Sequence, residues 1–414
     1  MSHLPWIPKL WMALPFLGLL LSIAILPLVA QKFWHQLKNQ AIVSIAFALP
    51  VAFFCFRYAP HALGESLKDY FSFVVLLGSL FVVSGGIYLA GDMESTPLAN
   101  TGLLALGAVL ANFVGTTGAS MILIRPLLRA NAHRKHHVYL PIFFIFLVSN
   151  IGGSLTPLGD PPLFLGYLNG VPFFWTLKLF PLWITALGIL LPLFFLVDLL
   201  FLKWDRTPHA ATEPASGKGP HLKGNRNIAC FAAIIGAVFL PEPFREIIMI
   251  LAALVSIRIT PKQYHEANGF NYDPILEVAI IFLGIFVTMV PALALLETRG
   301  AELGVTQPWQ FFWSTGAFSS FLDNAPTYMT FAALGEGLKL GGPYFHMPEH
   351  LLLAVSAGAV FFGANTYIGN APNFMVRSIA EHRGWKMPSF FGYMAWSVGI
   401  LIPLFLLITF FFFR

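Results

Sequence analysis

The sequence predicts an all-α polytopic membrane protein, on three observations. Charged residues make up 10% of the 414 residues, whereas about a quarter is usual in soluble proteins. Hydrophobic residues make up 57%, so the charges are too few to cover a water-soluble body. Long apolar runs recur along the whole chain, and about 20 apolar residues cross a bilayer as a helix. The net charge of +5 is assigned to membrane topology rather than to a nucleic-acid partner, because the charges fall between the apolar runs.

Six apolar runs are long enough to be single transmembrane helices, and two shorter runs can cross with the help of their flanks. The six are residues 11–30, 41–58, 70–91, 177–202, 274–296 and 389–413, and the two are 227–240 and 246–259. The first run has only Lys9 before it and no small-residue cleavage site, so we interpret it as an uncleaved span.

Four further runs are apolar but interrupted by Gly, Pro, Asn, Thr and Asp. They cover residues 101–128, 138–169, 308–340 and 351–379. Irregular backbone at membrane depth is tolerated only where it is buried in protein or lines a cavity. We therefore expect the functional site at these interruptions.

An internal duplication is predicted because similar Gly, Pro, Asn and Thr interruptions occur on either side of a hydrophilic segment. That segment, residues 205–227, is rich in Gly and Pro and is interpreted as a linker between a first repeat, 1–204, and a second, 228–414. Asn112 and Asn324 are 212 residues apart (324 − 112), and Asn150 and Asn365 are 215 apart (365 − 150). Interrupted segments at corresponding places in two halves point to a transporter binding site.

The membrane topology follows from counting. Five crossings and one re-entrant hairpin per half make the second half enter from the opposite side, so the repeats are predicted to be inverted, with broken helices at the midplane. A cytoplasmic linker places 16 of the 24 Lys and Arg residues inside, in agreement with the positive-inside rule. The protein is expected to be a multi-pass protein of the inner (plasma) membrane.

The interrupted segments carry side chains suited to a small cation. Broken helix ends expose backbone carbonyls, and Asn and Thr side chains add neutral oxygens that Na+ accepts. The candidate binding residues are Asn112, Thr116, Thr117, Ser149, Asn150, Gly152, Thr156, Asn324, Thr327, Asn365, Thr366, Asn370 and Asn373. Na+ is assigned to Asn150, Thr156, Asn365 and Thr366. The alternative is that these small residues only permit close helix packing; the duplication favours a site.

Two aspartates within the interrupted runs are candidates for coupling. A carboxylate at membrane depth costs roughly 2.5–3.5 kcal/mol and commonly serves an ion path or proton relay. Burial disfavours its charged form, so it can exchange a proton for a cation. Asp323 is predicted to carry the proton, with Asp160 second; Asp160 is equally consistent with a helix cap before a Pro-Pro pair. Asp198, Glu277 and Glu297, near span ends, are expected at the interface.

Other functional classes fit the sequence less well. The basic segment 133–137 is interpreted as an orienting loop rather than a metal or lipid site. Leu-Gly-Asp at 158–160 and Leu-Asp at 322–323 superficially suggest an intramembrane aspartyl protease, but the motif order is reversed and the tyrosine is absent. We therefore predict no enzyme, and rank a channel below a carrier because inverted broken repeats are used in alternating access.

These motifs resemble those of the ion transporter superfamily. Residues 150–160 are similar to its Asn-x-Gly-Gly…Pro-x-Gly-Asp signature, and residues 323–326 to its Asp-Asn-x-Pro. The closest patterns are the NhaD-type Na+/H+ antiporters and the neighbouring arsenite-permease and citrate-transporter-like (CitMHS) families. Pro161-Pro162 is similar to the latter two branches, and Asn365-Thr366 to the Ser-Asn-Thr motif of dicarboxylate carriers, with Ala364 in place of the serine.

The resemblance implies a secondary transporter that works by alternating access, and it implies a homodimer. No Lys or Arg lies inside either signature to balance an anionic substrate, so we predict a Na+(Li+)/H+ antiporter. The alternative is a Na+- or H+-coupled carrier of a citrate-like carboxylate or of arsenite. The expected partners are small ions and the lipid bilayer, without a cofactor beyond the transported Na+ and H+.

Overall fold

A computed structural model of the chain describes residues 8–91, 93–205 and 219–414, which are mainly helical. In chain order the α-helices of this part are α1 (Leu14–Val29), α2 (Gln31–Trp34), α3 (Leu37–Tyr58), α4 (Pro60–Gly85), α5 (Pro97–Ala130), α6 (Tyr139–Leu147), α7 (Pro161–Leu168), α8 (Phe180–Trp204), α9 (Asn227–Ala237), α10 (Phe244–Ile259), α11 (Lys262–Ala267), α12 (Asp273–Arg299), α13 (Pro308–Ser319), α14 (Asn324–Gly337), α15 (Glu349–Phe362), α16 (Ala371–His382) and α17 (Phe390–Phe412). Short 3-10 segments lie at Leu10–Ala13, Ile151–Leu155, Phe173–Leu179, Gly300–Leu303 and Gly363–Asn365. Two strands, β1 (Tyr88–Ala90) and β2 (His221–Lys223), pair antiparallel.

Seven helical segments of the described chain are long and apolar enough to cross a membrane. Six of them correspond to the six predicted spans, and the seventh contains α5. The all-α polytopic prediction is confirmed. The helix α12 forms the centre, because 78% of its apolar window is buried inside the protein, compared with 22% for the α1 segment and α3. It packs against α3, α4 and α14.

All four runs predicted to be interrupted are broken. Gly115 has φ 78° and ψ 155° within α5, a conformation that glycine adopts without the cost of a Cβ. The other breaks lie between α6 and α7, between α13 and α14, and between α15 and α16. The interruptions in the sequence therefore mark real changes of chain direction or helix type.

The predicted start of one span is wrong. The helix α4 begins at Pro60, ten residues before the predicted residue 70. Its first turns carry charged and polar side chains that contact α10 and the residues before it, as in the ion pair between Lys68 and Glu242. Ser72 Oγ donates a hydrogen bond of 2.7 Å to Glu246 Oε1. Hydropathy excluded residues 60–69 because the partners that balance their charges lie far away in sequence.

The two halves of the chain contain the same local construction at their second break. Thr156 Oγ1 donates to the Asn112 carbonyl at 2.5 Å, and Thr366 Oγ1 donates to the Ser320 carbonyl. A Cβ on Gly159 would lie 2.0 Å from the Gly153 oxygen, and one on Gly369 would lie 2.6 Å from the Gly363 oxygen. Each glycine and threonine of this set is 210 residues from its counterpart (363 − 153, 366 − 156, 369 − 159). The equivalent positions are thus not the asparagine pairs from which the duplication was predicted.

The predicted linker is only partly described. Residues 206–218 lie outside the described residues. On its far side, β2 pairs with β1 in the register Tyr88 to Lys223. Asn227 Nδ2 then donates 2.9 Å to the Gly86 carbonyl. The described end of the linker is therefore attached to the segment that follows α4.

Candidate functional site

The centre of the candidate site is the carboxylate of Asp160, which is 1% exposed. Oδ1 accepts hydrogen bonds of 3.1 Å from Thr116 Oγ1 and 3.1 Å from Asn370 Nδ2. Oδ2 accepts one of 2.5 Å from Asn324 Nδ2. All three donors are neutral, so within the described residues the carboxylate is hydrogen-bonded without a cationic partner.

Each of these four residues belongs to a different broken segment. Thr116 follows Gly115 in α5, Asp160 precedes α7, Asn324 begins α14 and Asn370 precedes α16. At such positions the backbone leaves a helix, so side chains can point across the break rather than along a helix face. All four interruptions therefore converge on one carboxylate.

A set of amides beside Asp160 joins the two halves of the chain. Asn150 Nδ2 donates 2.7 Å to Asn373 Oδ1, and Asn150 Oδ1 accepts 3.2 Å from Asn370 Nδ2. Asn370 Nδ2 also lies 3.2 Å from the Ser149 carbonyl. Asn373 Nδ2 in turn donates to the carbonyls of Gly363 and Thr366 at 2.8 and 2.9 Å. These side chains are fully buried and hold the second break of each half against the other.

Asp323 has a different environment from that of Asp160. It is half-buried and caps α14, its Oδ1 accepting 3.1 Å from the Ala325 N–H. Its carbonyl oxygen accepts 2.9 Å from Thr327 Oγ1. Asp160 is therefore more deeply buried than Asp323 and accepts more side-chain hydrogen bonds, whereas the assignment of the proton to Asp323 stays a prediction.

Asn112, Gly152 and Thr156 close the break in the first half. The Asn112 amide donates 2.7 Å to the Gly152 carbonyl and accepts 2.7 Å from the Leu155 N–H. Trp183 Nε1 adds a second donor to the same carbonyl at 3.0 Å. The carbonyl of Gly152, expected to be free for a cation, already accepts two hydrogen bonds.

Asn365 and Thr366 close the break in the second half. Asn365 Nδ2 donates 2.9 Å to Ser320 Oγ, and Thr366 Oγ1 accepts 3.1 Å from the Gly369 N–H as well as donating to Ser320. Among the candidate side chains of the described residues, the buried amide oxygens without a hydrogen-bond partner are Asn365 Oδ1 and Asn324 Oδ1. Thr117 is half-buried, and no hydrogen bond to its hydroxyl occurs within the described chain.

The four residues assigned to Na+ do not form one open set of ligands. Asn150 forms hydrogen bonds with Asn370 and Asn373. Thr156 donates to the Asn112 carbonyl in the first half, and Thr366 donates to the Ser320 carbonyl in the second. Within the described residues, no hydrogen bond joins Thr156 to Asn365 or Thr366. Sequence reasoning missed Ser320, which connects both second-half candidates, because one serine in an apolar run carries no distinguishing pattern.

A second buried polar cluster was also missed. Asp198, expected at the interface, is instead fully buried and forms an ion pair with Arg134 of the basic segment. Tyr139 and Asn100 donate to Asp198 at 2.6 and 2.8 Å. The expectation failed because Arg134 and Asp198 are 64 residues apart, and local hydropathy does not reveal such partners. Segment 133–137 thus contributes a buried side chain as well as surface charge.

The comparison with known families agrees with this architecture. The family model described as "putative citrate transport" (CitMHS_2) matches residues 6–413. The chain belongs to this family. The transporter class is thereby shown, and so is the resemblance to the citrate-transporter-like branch of the ion transporter superfamily. No curated protein matches the chain.

Proposed function

We propose that the protein is a Na+(Li+)/H+ antiporter in which Asp160 binds either ion. The observation that supports this is a buried carboxylate surrounded by Thr116, Asn324 and Asn370 and lacking a cationic partner among the described residues. An unpaired buried charge is unfavourable, and either a proton or a small cation relieves it. Binding of one then competes with binding of the other.

Asn324 supplies a means of exchanging a hydrogen-bond donor for a cation ligand. Its Nδ2 faces Asp160 while its Oδ1 is buried without a partner. Rotation of the amide by half a turn exchanges the two atoms and directs an oxygen toward the carboxylate. Two oxygens then face the same point, a donor set that suits Na+.

Antiport follows from occupancy of one carboxylate by one ion at a time. The charged, empty form is the least stable inside the membrane, so the change between inward-open and outward-open states is favoured when H+ or Na+ is bound. The breaks that precede α7, α14 and α16 are the places where the halves can move against each other. In this proposal the halves are inverted repeats, and the chain lies in the inner membrane with a cytoplasmic linker.

A second candidate function is cation-coupled transport of a citrate-like carboxylate. It is favoured by the description of the family, "putative citrate transport". The same Asp160 site would then bind the coupling ion, and the carboxylate would need a separate cationic contact. Arsenite is a further substrate to test because of the resemblance of the Pro161-Pro162 segment.

The test is collapse of a pH gradient in inverted membrane vesicles upon addition of Na+, Li+ or K+. Wild type is compared with Asp160→Asn and with Asp273→Asn, a control at an exposed aspartate at the start of α12. Antiport predicts a response to Na+ or Li+ that Asp160→Asn loses and Asp273→Asn retains. If no cation acts on the wild type, antiport is wrong, and uptake of labelled citrate and arsenite distinguishes the remaining substrates.

A further inference from the structure

Two arginines lie near the C-terminal end of α5, and a third follows α16, away from the α5 residue Thr116 that contacts Asp160. Arg125 and Arg129 are four residues apart, so they share one face of the helix. Arg383 directly follows α16, which packs against α5, and each of the three lies within the repulsive range of another. Nine residues of helix separate Arg125 from Thr116, about 14 Å at 1.5 Å per residue.

The arginine cluster has unused donors. Arg125 Nη1 is buried without a hydrogen-bond partner. Arg129 donates to Tyr88 Oη at 3.0 Å and to the Leu89 carbonyl at 2.8 Å, both neutral acceptors. The ion pairs found in the described residues involve other cations. Three charges thus meet without a carboxylate from this part of the chain.

Such an arrangement is unfavourable unless an anion completes it. Like charges four residues apart on a helix repel each other. Guanidinium groups nevertheless stay protonated in proteins and present planar pairs of donors that match carboxylate and phosphate oxygens. Arg383 is exposed, so the cluster is open to an incoming group on that side.

We propose that Arg125, Arg129 and Arg383 form a binding site for an anionic carboxylate or phosphate group. The group binds between α5 and the end of α16, and so connects the two halves of the chain. Its source is either a soluble anion or the headgroup of an anionic lipid, which share this chemistry. The site is separate from Asp160 and does not depend on the function proposed above.

The test is thermal unfolding of the full-length protein in neutral detergent after removal of bound lipid. Citrate, inorganic phosphate and phosphatidylglycerol are added separately, with phosphatidylcholine as the neutral lipid control. A ligand that binds only the folded protein raises the unfolding temperature in a concentration-dependent manner. Arg125→Gln and Arg383→Gln are compared with Lys386→Gln, which removes the same charge from an exposed side chain three residues after Arg383.

The proposal predicts that at least one of the three anions stabilises the wild type and Lys386→Gln. Either cluster variant should weaken that binding about tenfold or more, because a charge-assisted hydrogen bond is lost. A response to citrate or phosphate identifies a soluble anion, and a response to phosphatidylglycerol alone identifies a lipid headgroup. Arg383→Gln is at an exposed position, so it provides the result even where Arg125→Gln does not fold.

Three results overturn the proposal. The first is that no anion stabilises the wild type, and the second is that the cluster variants respond as strongly as Lys386→Gln. The third concerns Asp92, which lies outside the described residues, two positions after Ala90. If an anion acts only on Asp92→Asn, the chain's own carboxylate already fills the cluster, and an external anion is not its ligand.

Discussion

At the scale of single residues, replacement of Asp160 is expected to affect transport and stability in different ways. Its charge is buried among neutral donors, so replacing it with asparagine removes an unfavourable buried charge and keeps the shape. The Asn324 amide can turn its free oxygen toward the new NH2 group. We expect Asp160→Asn to unfold at or above the wild-type temperature while losing cation-dependent transport. A lower unfolding temperature would show that the aspartate serves the fold instead.

A second prediction at this scale concerns the buried ion pair. Asp198→Asn leaves the Arg134 guanidinium buried without its counter-charge, which costs about 3–5 kcal/mol. Lys178→Gln removes one partner of an exposed ion pair, in which Lys178 Nζ lies 2.5 Å from Glu349 Oε1. The expected loss of folding free energy is about 0–1 kcal/mol. Thermal unfolding of both variants measures the contrast. Equal effects of the two changes would mean that the Arg134–Asp198 pair does not stabilise the fold.

At the scale of elements, Gly115 permits the break in α5. Gly115→Ala introduces a Cβ at φ 78°, 3.3 Å from the Leu158 carbonyl oxygen. Holding a non-glycine residue there costs about 1–3 kcal/mol. Gly102→Ala, in the same helix, meets nothing within 4 Å and should not destabilise the protein. The unfolding temperatures of the two variants are compared in the same detergent. A Gly115→Ala protein as stable as wild type would contradict the claim that the break in α5 requires glycine at this position.

The sequence predicted the elements better than their contacts. Breaks at Gly115, near Asn150, near Asp323 and near Asn365 were expected because glycine, proline and short polar side chains disrupt long apolar runs. The pairing of Asp160 with Asn370 was not expected, since 210 residues separate them. For the same reason Ser320 was missed, and Asp198 was wrongly expected at the interface. Local composition shows where a helix stops, whereas the partner of a buried polar group is decided by how the helices pack.

At the scale of the whole molecule, the arrangement of the halves is open to a direct test. Inverted repeats of five crossings place the linker and the C-terminus on opposite sides of the membrane. We expect a cysteine introduced by His221→Cys to react with an impermeant maleimide from the cytoplasmic side, and one introduced by Arg414→Cys from the other side. Cys55 and Cys230 are buried, and their replacement by alanine gives the background. Labelling of both positions from one side would contradict the inverted topology.

The central claim is that one buried carboxylate exchanges Na+ for H+. The most direct measurement is uptake of radioactive Na+ into proteoliposomes that contain only the purified protein, driven by an acidic interior. The account predicts Na+ accumulation that stops when the pH gradient is collapsed and that is absent in Asp160→Asn. Uptake that does not respond to the gradient, or that persists in Asp160→Asn, would contradict it.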